Sequence, residues 1–300
     1  MPDRPEIQAP WVADATATEM DFLESSFFAS KLGQKHLPTP TEVAVCSPDF
    51  RTNPRPKPVK FEHLGLIVKF GPCVVVEEAI CLRMLRKTLP EKVPVPEVYG
   101  WRVEEGRVFI YMELIQGETL HDRWDHLNDQ GKISICAQLK EIVAVLRQLE
   151  PDPSDSFIGS ITRRFLLDYV FQAMPSAGPF KTVKEFNDWF SALPQQQLPD
   201  SLKYKDPYRE FLPDDGTIRF THGDLHRGNI IISRSDPPRV MAVIDWTHAG
   251  WYPDYWEYCK ALYTSDYNGE WRNTWIPRFL EQYPKEFAVF SEYVMEIGAV

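Results

Sequence analysis

The residues best suited to chemistry lie in one stretch, His222-Gly223-Asp224-Leu225-His226-Arg227-Gly228-Asn229, followed at once by the apolar run Ile230-Ile231-Ile232. A polar loop clamped between two strand-like runs is where catalytic side chains usually sit, because both ends are rigidly held. Sixteen residues after Asn229, a second apolar run, Ala242-Val243-Ile244, ends in Asp245 and Trp246. The two runs are close enough in sequence to pair as a hairpin, which would bring Asp224, Asn229 and Asp245 to one end of it. His222, Asp224 and His226, with Asp245 and His248, have the residue types of a metallohydrolase ligand cluster. His222 reads more simply as a structural histidine bracing the loop, with Asp224 better placed to act.

The elements that must position these residues follow from pattern. Residues 1–40 carry one amphipathic stretch, Met20 to Leu32, in otherwise proline-punctuated sequence, and form an N-terminal extension. Short β-rich runs follow at Glu42–Cys46, Val59–Glu62 and Leu64–Phe70, then a helical stretch, Val76–Leu89. Pro94-Val95-Pro96 breaks the chain, and two strands, Glu97–Val103 and Arg107–Glu113, are joined by the turn Glu104-Glu105-Gly106. Helices dominate after Gly117. In Lys132–Glu150 the residues Ile135, Leu139, Ile142, Val143, Leu146 and Leu149 recur at helical spacing, the signature of a core helix. A further helix, Thr182–Leu193, precedes the strands Ile218–Thr221, Asn229–Ser233 and Val240–Ile244, and aromatic-rich helices close the chain. The expected class is α+β in two lobes: a small antiparallel-sheet lobe over residues 41–114 and a larger, mostly helical lobe over 115–300.

Composition bounds the function. Three hundred residues can bury a sizeable core, and 43% hydrophobic with 25% charged residues is ordinary for a folded protein. A net charge of −10 argues against nucleic acid or an anionic membrane as partner. The N-terminal sequence lacks the basic head and apolar run of a signal peptide, and no span is apolar enough to cross a membrane, so a cytoplasmic protein is expected. Cys46, Cys73, Cys81, Cys136 and Cys259 are widely spaced without a C-x-x-C pair, which fits small buried thiols in a reducing compartment.

Five separated motifs in order resemble the aminoglycoside phosphotransferase family of kinase-like enzymes, most closely its fungal phosphotransferase-type members. They are Ile67-Val68-Lys69-Phe70-Gly71, Val93-Pro94-Val95-Pro96, Met112 to Leu120, the His222 loop, and Ile244-Asp245-Trp246 with Ala249-Gly250-Trp251-Tyr252-Pro253, covering Leu64 to Tyr283. The resemblance implies a protein-kinase-like fold and a magnesium-dependent transfer of the γ-phosphoryl of ATP or GTP to a hydroxyl of a small metabolite. Under it, Asp224 matches the catalytic aspartate that accepts the hydroxyl proton. Asn229 and Asp245 match the magnesium ligands, hard oxygen donors suited to that ion. Lys69 matches the lysine that holds the α/β-phosphates, with Glu78, rather than Glu77, as its partner. Glu113, Leu114 and Ile115 match the hinge that pairs with adenine, while Ile231 and Ile244 would line the slot around the base. His226, two residues after Asp224, would donate a hydrogen bond to the transferring group.

Departures from the pattern define the alternatives. Where a glycine-rich phosphate loop would stand, Ser47 to Pro58 has four prolines and no glycine, so Arg51, Arg55 and Lys57 would have to cover the phosphates. Trp246 follows Asp245, and no activation segment follows it, which argues against a protein substrate. Two other readings are a nucleotide-binding kinase-fold protein without catalysis, and a kinase-fold enzyme with another reaction on a small metabolite. The acceptor is expected to be cationic: Trp246, Trp251, Tyr252, Tyr255, Trp256, Tyr258, Tyr263, Trp271 and Trp275, interleaved with Asp254, Glu257, Asp266 and Glu270, would offer ring faces and carboxylates to an amine. Most of these rings read as core, as aromatic stripes in helices usually are, and a neutral aromatic or polyketide-like alcohol is the alternative acceptor. Acceptor identity and oligomeric state are not written in the sequence.

Overall fold

A computed structural model describes residues 14–29, 36–151 and 156–299. Residues 1–13, the stretch expected not to be a signal peptide, and 30–35, including the end of the Met20–Leu32 stretch, lie outside the described residues. The N-terminal lobe contains β1 (Glu19–Asp21), α1 (Ser26–Ala29), α2 (Pro40–Cys46), β2 (Val59–Phe61), β3 (Leu66–Gly71), α3 (Val76–Thr88), β4 (Val98–Glu104) and β5 (Arg107–Glu113). Its strands form one antiparallel sheet in the order β1-β4-β5-β3-β2. Glu105 and Gly106 both have positive φ, 48° and 72°, the backbone a two-residue hairpin turn demands between β4 and β5.

Period-two alternation divides this sheet between two cores. Val68, Phe70, Phe109 and Tyr111 pack with Phe27 of α1 and Val43 of α2 on one face. Ile110 and Met112 face α3 on the other. Lys69 lies between Val68 and Phe70, so alternation turns it toward α3 and away from the first face. That single parity relation decides where the ammonium can go.

Glu42–Cys46, which reads as a strand from its alternating apolar residues, belongs instead to α2. Thr39 caps this helix: its hydroxyl accepts from the Glu42 N–H, the Glu42 carboxylate accepts from the Thr39 N–H, and Pro40 occupies the first turn. This reciprocal cap outweighs the β-branched valines.

The second lobe comprises β6 (Glu118–Thr119), α4 (Leu120–Arg123), α5 (Asp129–Leu146), β7 (Gly159–Ser160), α6 (Val183–Ala192), β8 (Ile218–Thr221), β9 (Ile230–Ile232), β10 (Val240–Val243), β11 (Gly250–Pro253), α7 (Trp256–Tyr263), α8 (Ile276–Phe279) and α9 (Pro284–Glu296). β9 and β10 pair antiparallel as a hairpin, with β6 on the far edge of β9. β8 pairs with β11 in a separate three-stranded sheet. The loop from His222 to Asn229 therefore runs between two different small sheets. Ile135, Leu139, Ile142, Val143 and Leu146 of α5 are buried as their spacing requires. Cys81, Cys136 and Cys259 are buried, whereas Cys46 and Cys73 are exposed, since α2 and the β3–α3 turn present them to solvent. No helix among the described residues is long and apolar enough to cross a membrane.

β1 joins the sheet through Val103 N–H to Thr18 O (2.7 Å) and Phe22 N–H to Tyr99 O (2.9 Å), with Arg102 bridging Glu19 and Asp21. Gly100 permits this approach, because a Cβ there would collide with the Met20 carbonyl oxygen and crowd Leu37. Gly100→Ala is therefore expected to cost about 1–3 kcal/mol. Hydrogen exchange should quicken at the Phe22 and Val103 amides before the rest of the sheet, and unchanged exchange there would contradict this account.

Candidate active site

The His222 loop is held from beneath by a carboxylate. Glu257, 3% exposed on α7, accepts from the His222 N–H (2.6 Å) and the Gly223 N–H (3.2 Å). His222 accepts the Asp224 N–H at Nδ1 (3.1 Å), so Nε2 carries the proton and donates to the Ile244 carbonyl (3.0 Å). Both ring nitrogens are thus spent on backbone, and His222 braces the loop against the strand ending in Asp245. The metallohydrolase arrangement is absent for that reason: among the described residues no group of three or more histidines, cysteines or acids is disposed to hold a metal ion.

Asp224 and Asn229 meet directly. Asn229 Nδ2 donates to the Asp224 carbonyl (2.9 Å) and to Asp224 Oδ2 (3.1 Å), leaving Oδ1 as the amide's acceptor. The Ile244 N–H donates to Asn229 O (2.9 Å), which ties Asn229 to the Asp245 end of the hairpin. His226 accepts from Gly228 N–H at Nδ1 (2.9 Å), and its Nε2 stands 3.6 Å from Asp224 Oδ2. Burial pushes the Asp224 carboxyl up, but the His226 imidazole, followed by His222 and His248, outweighs it and holds the group well below the ordinary carboxylate range.

The lobes meet at Lys69. Its Nζ donates to Glu78 (2.9 and 2.7 Å), to Asp245 Oδ1 (2.7 Å) and to Thr247 Oγ1 (3.1 Å). The Thr247 hydroxyl lies 2.8 Å from Glu78 Oε2 and 2.9 Å from Asp245 Oδ1, so one proton serves two carboxylates. Glu78, and not Glu77, faces the lysine; Glu77 lies 3.7 Å from Arg164. Burial would lower the Lys69 pKa, yet the Glu78 and Asp245 charges reverse this and raise it. Burial raises that of Glu78, and Lys69 offsets this only in part. Asp245 sits at φ 61°, a left-handed conformation that aspartate tolerates better than bulkier residues, and its carboxylate thereby reaches Lys69.

The hinge needs one correction. The Leu114 N–H donates to Gly65 O (2.9 Å), so it is committed within the lobe and cannot pair with a base. The Glu113 N–H donates to Glu97 O (2.8 Å) and its side chain accepts from Glu97 N–H (3.2 Å), leaving the Glu113 carbonyl and the backbone groups of Ile115 as the candidates. Ile231, half-buried between buried Ile230 and Ile232, lies against this segment; a Cβ on Gly117 would clash with its Cγ2. Ile244 is likewise half-buried.

A cavity of about 700 Å³ opens beside Asp224 and His226 and includes Arg55, Tyr169, His248 and Lys260. The aromatic residues expected to line a cationic pocket are elsewhere: Trp246, Trp251, Tyr252, Tyr255, Trp256, Tyr258, Trp271 and Trp275 are all buried core. Glu257 is consumed by the loop N–H groups and Asp254 caps Thr217. Trp256 and Tyr258 sit on α7, which is buried on every side, and Trp251 and Tyr252 on the fully buried strand β11. Of the three cations near the proline-rich loop, Arg55 is the one that reaches the cavity, with Nη2 3.3 Å from Gln172 Oε1. Thr247, Tyr169 and the Asp168–Lys260 pair are site residues that sequence reasoning missed, and Glu257, expected to offer its carboxylate to an amine, holds the loop instead. The one available signal was a glutamate and a lysine three residues apart inside an otherwise apolar helix.

A profile of the phosphotransferase enzyme family matches residues 62–293. No curated protein matches the chain. Among solved structures, aminoglycoside phosphotransferase APH(4)-Ia is similar at 16% identity over 78% of this chain and 76% of that one, with a TM-score of 0.47. A thermostable mutant of it in ternary complex with ADP and hygromycin B matches at 15% identity over 78% and 77%, with a TM-score of 0.44. ADP-bound aminoglycoside phosphotransferase APH(2'')-Ib matches at 14% identity over 76% and 74%, with a TM-score of 0.45.

Removing Lys69 would strand Glu78 and Asp245 together. Lys69→Met is expected to cost about 3 kcal/mol, the low end for a broken buried pair because Lys69 keeps some exposure. Adding Glu78→Gln should restore part of that loss in a double-mutant cycle. The raised lysine pKa means the contribution is complete at neutral pH and fades only as pH climbs through the folded value, above the usual lysine range. An unchanged melting temperature in Lys69→Met would refute the network's role.

Proposed function

The chain belongs to the phosphotransferase enzyme family, and we propose that it transfers the γ-phosphoryl group of ATP or GTP, with magnesium, to a hydroxyl of a small metabolite. The observation that carries this reading is the convergence of Lys69, Glu78 and Asp245 across the lobe boundary beside the joined pair Asp224 and Asn229. On this reading residues 41–114 hold the nucleotide and 115–300 supply the catalytic loop and the acceptor site.

The donor set suits magnesium, since the Asn229 Oδ1 amide oxygen and the Asp245 carboxylate are hard oxygen ligands on adjacent backbone. The ion, when bound, neutralises phosphate charge. Lys69, oriented by Glu78, contributes positive charge for the α/β-phosphates. The Glu113 carbonyl and backbone groups of Ile115 would pair with the base, with Ile231 and Ile244 against its faces.

Asp224 positions the acceptor hydroxyl in line with the γ-phosphorus. As the hydroxyl oxygen bonds to phosphorus, the bond to the β-phosphate oxygen breaks, the diphosphate leaves, and the hydroxyl proton passes to Asp224. A carboxylate held so far below its ordinary range is a weak base. Asp224 therefore orients the hydroxyl first and takes its proton late, once bonding to phosphorus has acidified it. His226, beside Asp224, would donate to the transferring group.

Asp224→Asn should lower kcat by about 10³-fold or more with nucleotide affinity within a few-fold, because the proton acceptor goes and the phosphate contacts stay. Asp245→Ala should instead abolish the magnesium-dependent part of nucleotide binding, read as thermal shift with ATP and GTP with and without the ion. Indistinguishable profiles would overturn these roles. Nucleotide binding without transfer to any hydroxylated compound would support the non-catalytic alternative, and no shift at millimolar nucleotide would overturn both. For the wild type, kcat/KM should show no Asp224 protonation step above about pH 5, and a step there abolished by Asp224→Asn would contradict its assignment as ionised.

A further inference from the structure

Beneath the catalytic loop lies a buried ion pair that the chemistry above does not use. Asp168 and Lys260 have side chains 0% and 1% exposed and meet at 2.7 Å. Desolvating two charges costs several kcal/mol for each, and well-packed apolar residues of like volume often serve stability as well. Packing alone therefore does not account for this pair.

The two partners differ in how well they are satisfied. Asp168 accepts from Trp256 Nε1 (2.8 Å), from Val170 N–H (3.0 Å) and from Lys260. Lys260 Nζ, with three N–H donors, meets Asp168 Oδ1 as its one acceptor among the described residues. Its other close groups are the Tyr263 and Tyr169 rings, at 5.6 and 6.0 Å. Lys260 nonetheless lines the cavity that holds Asp224. His248 lines it too, and its buried Nδ1 has no hydrogen-bond partner among the described residues.

Tyr169 gathers these donors. Its ring lies 5.7 Å from the Arg55 guanidinium and 6.3 Å from the His248 ring, besides the contact with Lys260. Three nitrogen-bearing side chains thus surround one ring at one end of the cavity. That end begins one residue from the catalytic aspartate: a Cβ on Gly223 would lie 3.1 Å from His248 Cβ and 3.5 Å from Asp168 Oδ2. At this end Arg55 and Lys260 stand against Asp168, while Asp224 and Asp122 are the other carboxylates that line the cavity.

We propose that this end binds a carboxylate of the acceptor, so that the substrate is a hydroxy acid whose hydroxyl rests on Asp224 while Lys260, His248 and Arg55 hold its anionic oxygens. The proposal rests on the phosphotransfer reading above, and it reverses the cationic acceptor expected from sequence. The same donors could instead serve the terminal phosphate of the nucleotide, so the test separates the two.

With ADP and magnesium present, acetate, acetamide and methylamine are titrated while the His248 ring resonances are followed by NMR. Initial rates are then measured by phosphorus NMR for lactate, 3-hydroxybutyrate, gluconate and 4-hydroxyphenylacetate against their methyl esters and matched amino alcohols. Acetate alone should perturb His248, and accepted acids should exceed their esters by about tenfold or more in kcat/KM. Lys260→Met with Asp168→Asn, which removes both charges, should erase that preference with the KM for ATP unchanged. Arg55→Met, at an exposed position, should reduce it at least about threefold even if the double variant fails to fold.

Esters or amino alcohols turned over as well as acids would overturn the proposal. So would acetate without effect on His248, or a variant that raises the KM for ATP while keeping the acid preference. If ADP binds and no hydroxylated compound is phosphorylated, the phosphotransfer reading fails, and the acetate titration decides the anion site by itself.

Discussion

Everything in this molecule that bears on chemistry is referred to one partly buried ammonium. Lys69 is delivered by strand parity, Glu78 by the first turn of α3, and Asp245 with Thr247 by the turn after β10. None of these elements could shift by a residue without stranding a charge. A slip of β3 by one position would exchange its two faces and send Lys69 in among Phe109 and Tyr111. The relation between the lobes is thus set by satisfying a single cation, which is a sharper constraint than apolar packing supplies.

A second buried charge plays the same part inside the larger lobe. Glu257 holds the N–H groups of His222 and Gly223, and Lys260, three residues on along α7, lies under the next part of the site. Residues three apart share a helix face, so α7 presents an anion to the loop and a cation to the cavity from one side. Its remaining surface is packed with aromatic rings, and that rigid seat keeps two oppositely charged groups in fixed relation to Asp224.

Much of this was legible in the sequence, for identifiable reasons. The β5 and β8 strands, the α3 and α5 helices and the β9–β10 hairpin follow from apolar periodicity and turn residues, which are local properties. The Glu42–Cys46 segment reads as a strand because its valines alternate, whereas Thr39-Pro40-Thr41-Glu42 spells the cap of the helix it forms. The pairing of Lys69 with Glu78 and the joining of Asp224 with Asn229 were recoverable from motif order. The commitment of the Leu114 N–H to Gly65 was not, since it depends on a bond across the sheet that no spacing records. The aromatic stretch failed for a related reason: composition reveals that rings are present, and only tertiary packing decides whether they line a cavity or fill a core.

That failure also separates global from local charge. A net charge of −10 suggests attraction for cations, but at physiological ionic strength such a field is screened over about 8 Å. Within a cavity, groups a few ångströms away dominate. Here Asp245 is neutralised by Lys69, and Asp168 is already satisfied by three donors, while Asp224 stays ionised at the other end. The Asp168 and Asp245 charges are therefore spent internally, while Arg55 and the remaining donors of Lys260 are not. What a ligand meets at that end of the cavity is the uncommitted remainder of these hydrogen bonds and charges, and that remainder has the opposite sign to the protein as a whole.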